Sequence, residues 1–201
     1  MNRYLCLFIG LVLTLFAGGC VVSEQPLSTI SEAKPDPRLT GQWHKVEGDA
    51  GEKKAEINDK EKPEIAQISF DGHGVGHAQN VEKDGKLGLE ILRFFVTRTE
   101  RNTFLNIQDP SGDFSGYYFF KYQVSEDGKE LKLWSVHDFV LVDAVKAGQL
   151  KGKLDVHPPG KNSSLDKYTL LQDSPDKILS FIEAKTESAI YDRPMTLEKV
   201  K

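Results

Sequence analysis

Five histidines are the first residues whose chemistry would matter: His44, His73, His77, His137 and His157. His73 and His77 are four apart, a spacing that on a helix would set two imidazoles side by side for zinc. The run Asp71-Gly-His-Gly-Val-Gly76 forbids a stable helix, and on a strand the pair stands about 13 Å apart, too far for one ion. The expectation is therefore no metal centre and no cofactor. Gly112-Asp-Phe-Ser-Gly116 sets a serine among glycines, but the spacing is not that of a nucleophile elbow, and a strand follows where a helix should. Acids such as Asp36, Glu126 and Asp127 sit in turn sequences, where solubility explains them. His137-Asp138, at the end of an alternating strand, is the remaining imidazole–carboxylate cluster to map. No glycine-rich phosphate loop leads from a strand into a helix, and no His-Glu-x-x-His occurs. The chain reads as a non-enzyme, with an unrecognised hydrolase as the last alternative.

Binding chemistry is written more plainly in Tyr117, Tyr118, Phe119, Phe120 and Tyr122. Five aromatics among the seven residues from Tyr117 to Gln123 cannot all face one core, so both faces of this strand meet something. The run is either a central strand with phenols lining its second face, or one whose Tyr117 and Tyr122 form a docking patch. Tyrosine suits docking because it combines large area with few rotatable bonds.

Charge and cysteine content exclude several classes. The chain has 201 residues and a formal charge of −4. A mildly acidic surface with dispersed lysines lacks the basic face that nucleic acid requires. Cys6 and Cys20 are the only thiols. Arg3 precedes an apolar run, Leu5 to Ala17, that would be roughly 20 Å long as a helix, short of the roughly 30 Å hydrocarbon core. Charge, apolar run and small residues in that order describe a secretory signal peptide. Losing residues 1–19 removes Cys6, so one thiol remains and no intramolecular disulfide or cysteine zinc cage can form. Ala17-Gly-Gly-Cys20 resembles the lipobox of bacterial lipoproteins. The resemblance implies that Cys20 is lipidated and becomes the mature N-terminus, anchoring the protein to a membrane. Val21, where inner-membrane retention in that family usually takes aspartate, points to the outer membrane in a Gram-negative organism.

These groups must be held by a β-rich body. Residues 20–38 carry prolines and serines without periodicity and read as a lipidated cysteine plus flexible tether. The globular domain is expected over 39–201. Strands are expected at Ile65–Phe70, Val75–Glu82, Leu87–Thr99 (with a bulge near Arg93), Thr103–Ile107, Gly116–Val124, Glu130–Val136, Leu150–Val156, Tyr168–Leu171 and Met195–Val200. Asp-Gly and Pro-Ser-Gly turns join them. A short helix is favoured over 138–147, and Ser174-Pro175-Asp176 is a helix start. The pattern predicts a mainly β fold: an antiparallel meander curling into a lipocalin-like or partly closed barrel, with one or two short helices.

Gly41-x-Trp43 on the first strand resembles the opening motif of lipocalins. That likeness implies a bend at Gly41, a Trp43 plug at the closed end, and an interior lined by Phe94, Phe104 and Phe119. Leu39-Thr-Gly-x-Trp, an apolar helix ending at Gly148-Gln-Leu-Lys-Gly152, and a Ser-Pro-capped late helix together resemble a broad group of uncharacterised bacterial envelope lipoproteins. The expected function is a lipid-anchored, non-enzymatic envelope protein binding a small apolar ligand. The alternative is a protein-interaction or assembly module with a packed core.

Overall fold

The computed structural model describes residues 21–46, 65–82, 84–108, 116–158 and 167–200. Eleven strands follow in chain order. They are β1 (Val21–Ser23), β2 (Gly41–Lys45), β3 (Ile65–Phe70), β4 (Gly76–Val81), β5 (Leu87–Arg98), β6 (Thr103–Gln108), β7 (Tyr117–Val124), β8 (Glu130–Ser135), β9 (Gly152–Val156), β10 (Tyr168–Leu171) and β11 (Met195–Lys199). Three short helices join them: α1 (Asp138–Lys146), α2 (Pro175–Glu183) and α3 (Glu187–Ile190). The expected mainly β meander is present, and it closes completely.

β2 through β8 pair antiparallel in succession, and β11 fits between β8 and β2. Because β6 also pairs with β7, these eight strands form an unbroken ring without an exposed edge. Tight turns permit the meander. At Asp71–Val75 the Asp71 carboxylate accepts the amides of His73 and Val75, and Gly74 takes φ +81°.

β8 leaves the ring at Ser135, opposite Phe120, and β1 takes over the vacated edge of β7 with Ser23 opposite Tyr117. β10 runs parallel to β1, and β9 antiparallel to β10, so a three-stranded flap extends the wall.

Alternation along the strands builds two apolar layers. The inner layer fills the barrel with Trp43, Ile68, Phe94, Val96, Leu105, Tyr118, Phe120 and Tyr122 among others. The outer layer seats α1 to α3 on the opposite face of β6 and β7: Phe104, Phe119, Leu141, Ile178, Ile182 and Ile190. This explains the aromatic run. β7 is apolar on both faces because it has a core on each side.

Three expectations are corrected. Residues 21–38 are not a tether. Val22 and Leu27 are 0% and 2% exposed. Buried Asn106 fastens the segment by accepting the Leu27 amide at 2.7 Å and donating to Phe95 O and Thr97 Oγ1. The proline-rich composition marks irregular backbone, and irregular backbone can still dock when side chains satisfy its amides. The break in β5 is not a bulge at Arg93, which stands in register opposite His77. The irregularity lies nearer Leu87, and the apolar pattern shifts because Leu89 and Ile91 face solvent while Leu92, Phe94 and Val96 face inward. At the start of α2, Ser174 occupies the N-cap position with Pro175 behind it, but its hydroxyl makes no capping bond. The charged stretch at 48–62 and the Gly112–Ser115 loop lie outside the described residues. Among those described, no helix is long and apolar enough to cross a membrane.

Candidate functional site at the open end of the barrel

One end of the barrel is plugged. Trp43 is fully buried and donates its indole N–H to Leu39 O at 2.7 Å. Lys199, on the neighbouring β11, stands over the ring at 5.1 Å and donates to Arg38 O. Gly41 is required beside it, at φ +128°, where a Cβ would meet Lys199 Cε at 2.9 Å. The chain from Lys34 to Leu39 crosses this end. Its buried Asp36 carboxylate receives Arg38 in a two-pronged pair (2.9 and 2.7 Å) and the Tyr122 hydroxyl at 3.0 Å. Arg98 donates to Lys34 O close by. Burial alone would raise the Asp36 pKa, but the hydrogen bonds from Arg38 and Tyr122 outweigh it and hold the carboxyl below its ordinary value. Burial beside that carboxylate pushes the Tyr122 phenol up.

The other end is built differently. Inward-facing Val96, Tyr122, Phe94 and Leu131 are 1–3% exposed. On the strand ends leading away from the plug, Leu92, Leu133 and Met195 face inward yet stay half-buried. Lys45, Asn80 and Ser135 share that orientation, as their partners Leu197, Ala66 and Phe120 show. Asn80 Oδ1 is buried without a hydrogen-bond partner. The inner apolar layer is thus less completely covered at this end, and polar groups stand beside it.

Beside Ser135, Asp192 ties two groups together. Its Oδ1 lies 2.7 Å from His137 Nδ1, and its Oδ2 accepts the Ser135 hydroxyl at 2.7 Å. Asp138, next along, accepts the Val21 amide. Burial raises the Asp138 pKa to about 7; the Val21 bond opposes this and the Asp192 charge adds to it. Serine, histidine and aspartate meet here, but Ser135 donates to the carboxylate and not to the imidazole. A nucleophile relay needs the hydroxyl on the ring nitrogen.

Comparison of the chain with family models, with curated proteins and with solved structures returns no match in any of the three. The site is therefore read from its own geometry.

Of the lining residues expected, Phe94 faces the interior, edge-on to Phe70 at 5.6 Å. Phe104 and Phe119 do not line it: both point outward beneath the helices. Strand alternation fixed their parity relative to their neighbours but not which face was the inside, because both faces of β6 and β7 are apolar. The proposed tyrosine patch is also corrected. Tyr122 is 2% exposed inside the barrel, and Tyr117 is half-buried against Phe95 on the outer face. Five positions apart on one strand, they point opposite ways. His77 lies 3.4 Å from Asp71, its own turn aspartate, and among the described residues no group of three metal-ligating side chains forms. Sequence reasoning missed Asp192, Asn80 and Met195. Each becomes notable only through partners far along the chain. A separate surface cleft of about 450 Å³ lies between Thr99–Arg101 and α2, where Glu183 is already bonded by Thr99 and Asn102.

Proposed function

We propose that this chain is a lipid-anchored, non-enzymatic protein of the bacterial envelope that takes a small apolar ligand into the open end of its barrel. The observation that carries the ligand reading is the partly buried set Leu92, Leu133 and Met195 inside a fully closed wall. Covering such surface with hydrocarbon is worth about 25 cal/mol per Å². Asn80 Oδ1, a buried side-chain acceptor without a hydrogen-bond partner, would suit a ligand hydroxyl or amide there. The Trp43 plug at the opposite end fits the lipocalin likeness of Gly41-x-Trp43.

The anchor reading rests on Ala17-Gly-Gly-Cys20 behind its apolar run. It places the mature protein on a membrane through Cys20, the outer one where two are present. A second reading, a protein-docking module, draws on Leu87, Leu89 and Ile91, which are 48%, 93% and 48% exposed along one outward face of β5.

Both parts are open to test. Cells fed a labelled palmitate should label the wild-type chain and not Cys20→Ser; equal labelling of both refutes the anchor. Native mass spectrometry of the detergent-extracted protein should show an added small-molecule mass that Leu92→Trp abolishes. A bare mass with a protein partner attached would replace the ligand reading with the docking one.

A further inference from the structure

We infer that the protein lies directly on the bilayer, with the start of α1 and the exposed Phe139 in the lipid headgroup layer, and is not held off by a stalk. The inference deepens the lipid-anchor reading and rests on it. The argument begins with β1. Val21, the residue after the expected lipidation site, is 7% exposed, lies in the sheet beside Thr169, and gives its amide to Asp138. Val22 and Ser23 are 0% and 1% exposed. The body therefore begins one residue after the thioether, and no spacer is left to pay out.

Covalent geometry then limits where the membrane can be. A residue bonded to Val21 has its Cα about 3.8 Å away. The headgroup region is roughly 5–8 Å deep on each side of the hydrocarbon. Val21 is therefore held close to that layer once the acyl chains insert, and surface groups within about 10 Å of it on the membrane side come within reach of the layer. Asp138 holds the Val21 amide, so Phe139, its neighbour in sequence, falls inside this radius. Phe139 is 61% exposed, the first-turn residue of α1, and its ring packs at 4.8 Å on His137. A large apolar side chain left outward at this point finds its burial in lipid. The opposite wall of the barrel, β3, presents polar Gln67 and exposed Ser69.

The mature chain has no thiol besides Cys20, which permits a depth measurement. Phe139→Cys and Ser69→Cys are each labelled with an environment-sensitive nitrobenzoxadiazole probe in the full lipidated protein. Each is then reconstituted into phosphatidylcholine vesicles with and without brominated acyl chains, after mass analysis of the N-terminal peptide. The expected result is a diacylglyceryl mass on Cys20, a blue-shifted probe at 139 quenched by bromine, and an unquenched probe at 69. A lipidated protein whose probe at 139 is as unquenched as that at 69 overturns the orientation and leaves the anchor standing. A chain recovered from membranes without lipid on Cys20 removes the anchor reading, and the orientation with it.

Discussion

The Lys199 ammonium stands 5.1 Å from the centre of the Trp43 ring and bonds the Arg38 carbonyl. The last strand, β11, thus clamps β2 across the closed end, and the indole N–H on Leu39 O completes the plug. Trp43→Ala should cost about 3–5 kcal/mol by cavity formation. Trp43→Phe should cost less, about 1–3 kcal/mol, chiefly from the orphaned Leu39 carbonyl. Chemical denaturation of the two variants checks the order; equal costs would mean that the shared loss of the indole hydrogen bond accounts for the whole effect and the cavity adds nothing.

Asp36 and Tyr122 predict the acid limb of stability. The Asp36 pKa is lowered on folding, so its contribution is fully present above the ordinary carboxylate value and is lost as pH falls through the depressed one. Tyr122→Phe removes one of the bonds that depress it and leaves the carboxylate less satisfied. It should cost about 1–2 kcal/mol at neutral pH and move the acid unfolding midpoint upward. Thermal melts from pH 2 to 7 would show this as a narrowed plateau.

Asp138 works in the other direction. Its pKa is raised on folding to about 7 from an ordinary 3.8, so between those values the folded state holds a proton that the unfolded chain releases. Stability from this group therefore falls as pH rises from about 4 to about 7 and is flat above, a loss of up to about 4 kcal/mol. Asp138→Asn keeps an acceptor for the Val21 amide and removes the ionisation. The variant should melt higher than wild type at pH 8, with the gap closing toward pH 4. A gap that does not change with pH would show that Asp138 is ionised in the fold throughout.

Asn106 secures the segment before β2. Fully buried, it bonds Leu27, Phe95 and Thr97 at once. Asn106→Ala strands the Leu27 amide and should cost about 2 kcal/mol, with faster protease cleavage between Glu24 and Lys34 than in wild type. Unchanged cleavage would show that the Val21–Ser23 pairing alone holds the segment.

The sequence by itself determined the positions of β2 to β11, though not of β1, because side chains alternate at a period of two and Asp-Gly turns punctuate them. It also marked the helix start at Pro175, favoured a helix over 138–147, and left a single thiol once the expected signal is removed, whereas Trp43 as a plug was what the lipocalin likeness implied. Tertiary structure decided the rest. Closure depends on β11 fitting between β8 and β2, pairings without a local signal. Which face of β7 is the inside was open, since Phe119 and Phe120 are equally apolar and only the helices claim one of them. The segment at 21–38 has no periodicity because its bonds run to Asn106, Tyr122 and Arg98, far along the chain. The His137–Asp192–Ser135 cluster is assembled in the same way, across the chain that separates β8 from β11. Local pattern reports what a residue's neighbours in sequence require, whereas a closed barrel is specified by contacts that skip them.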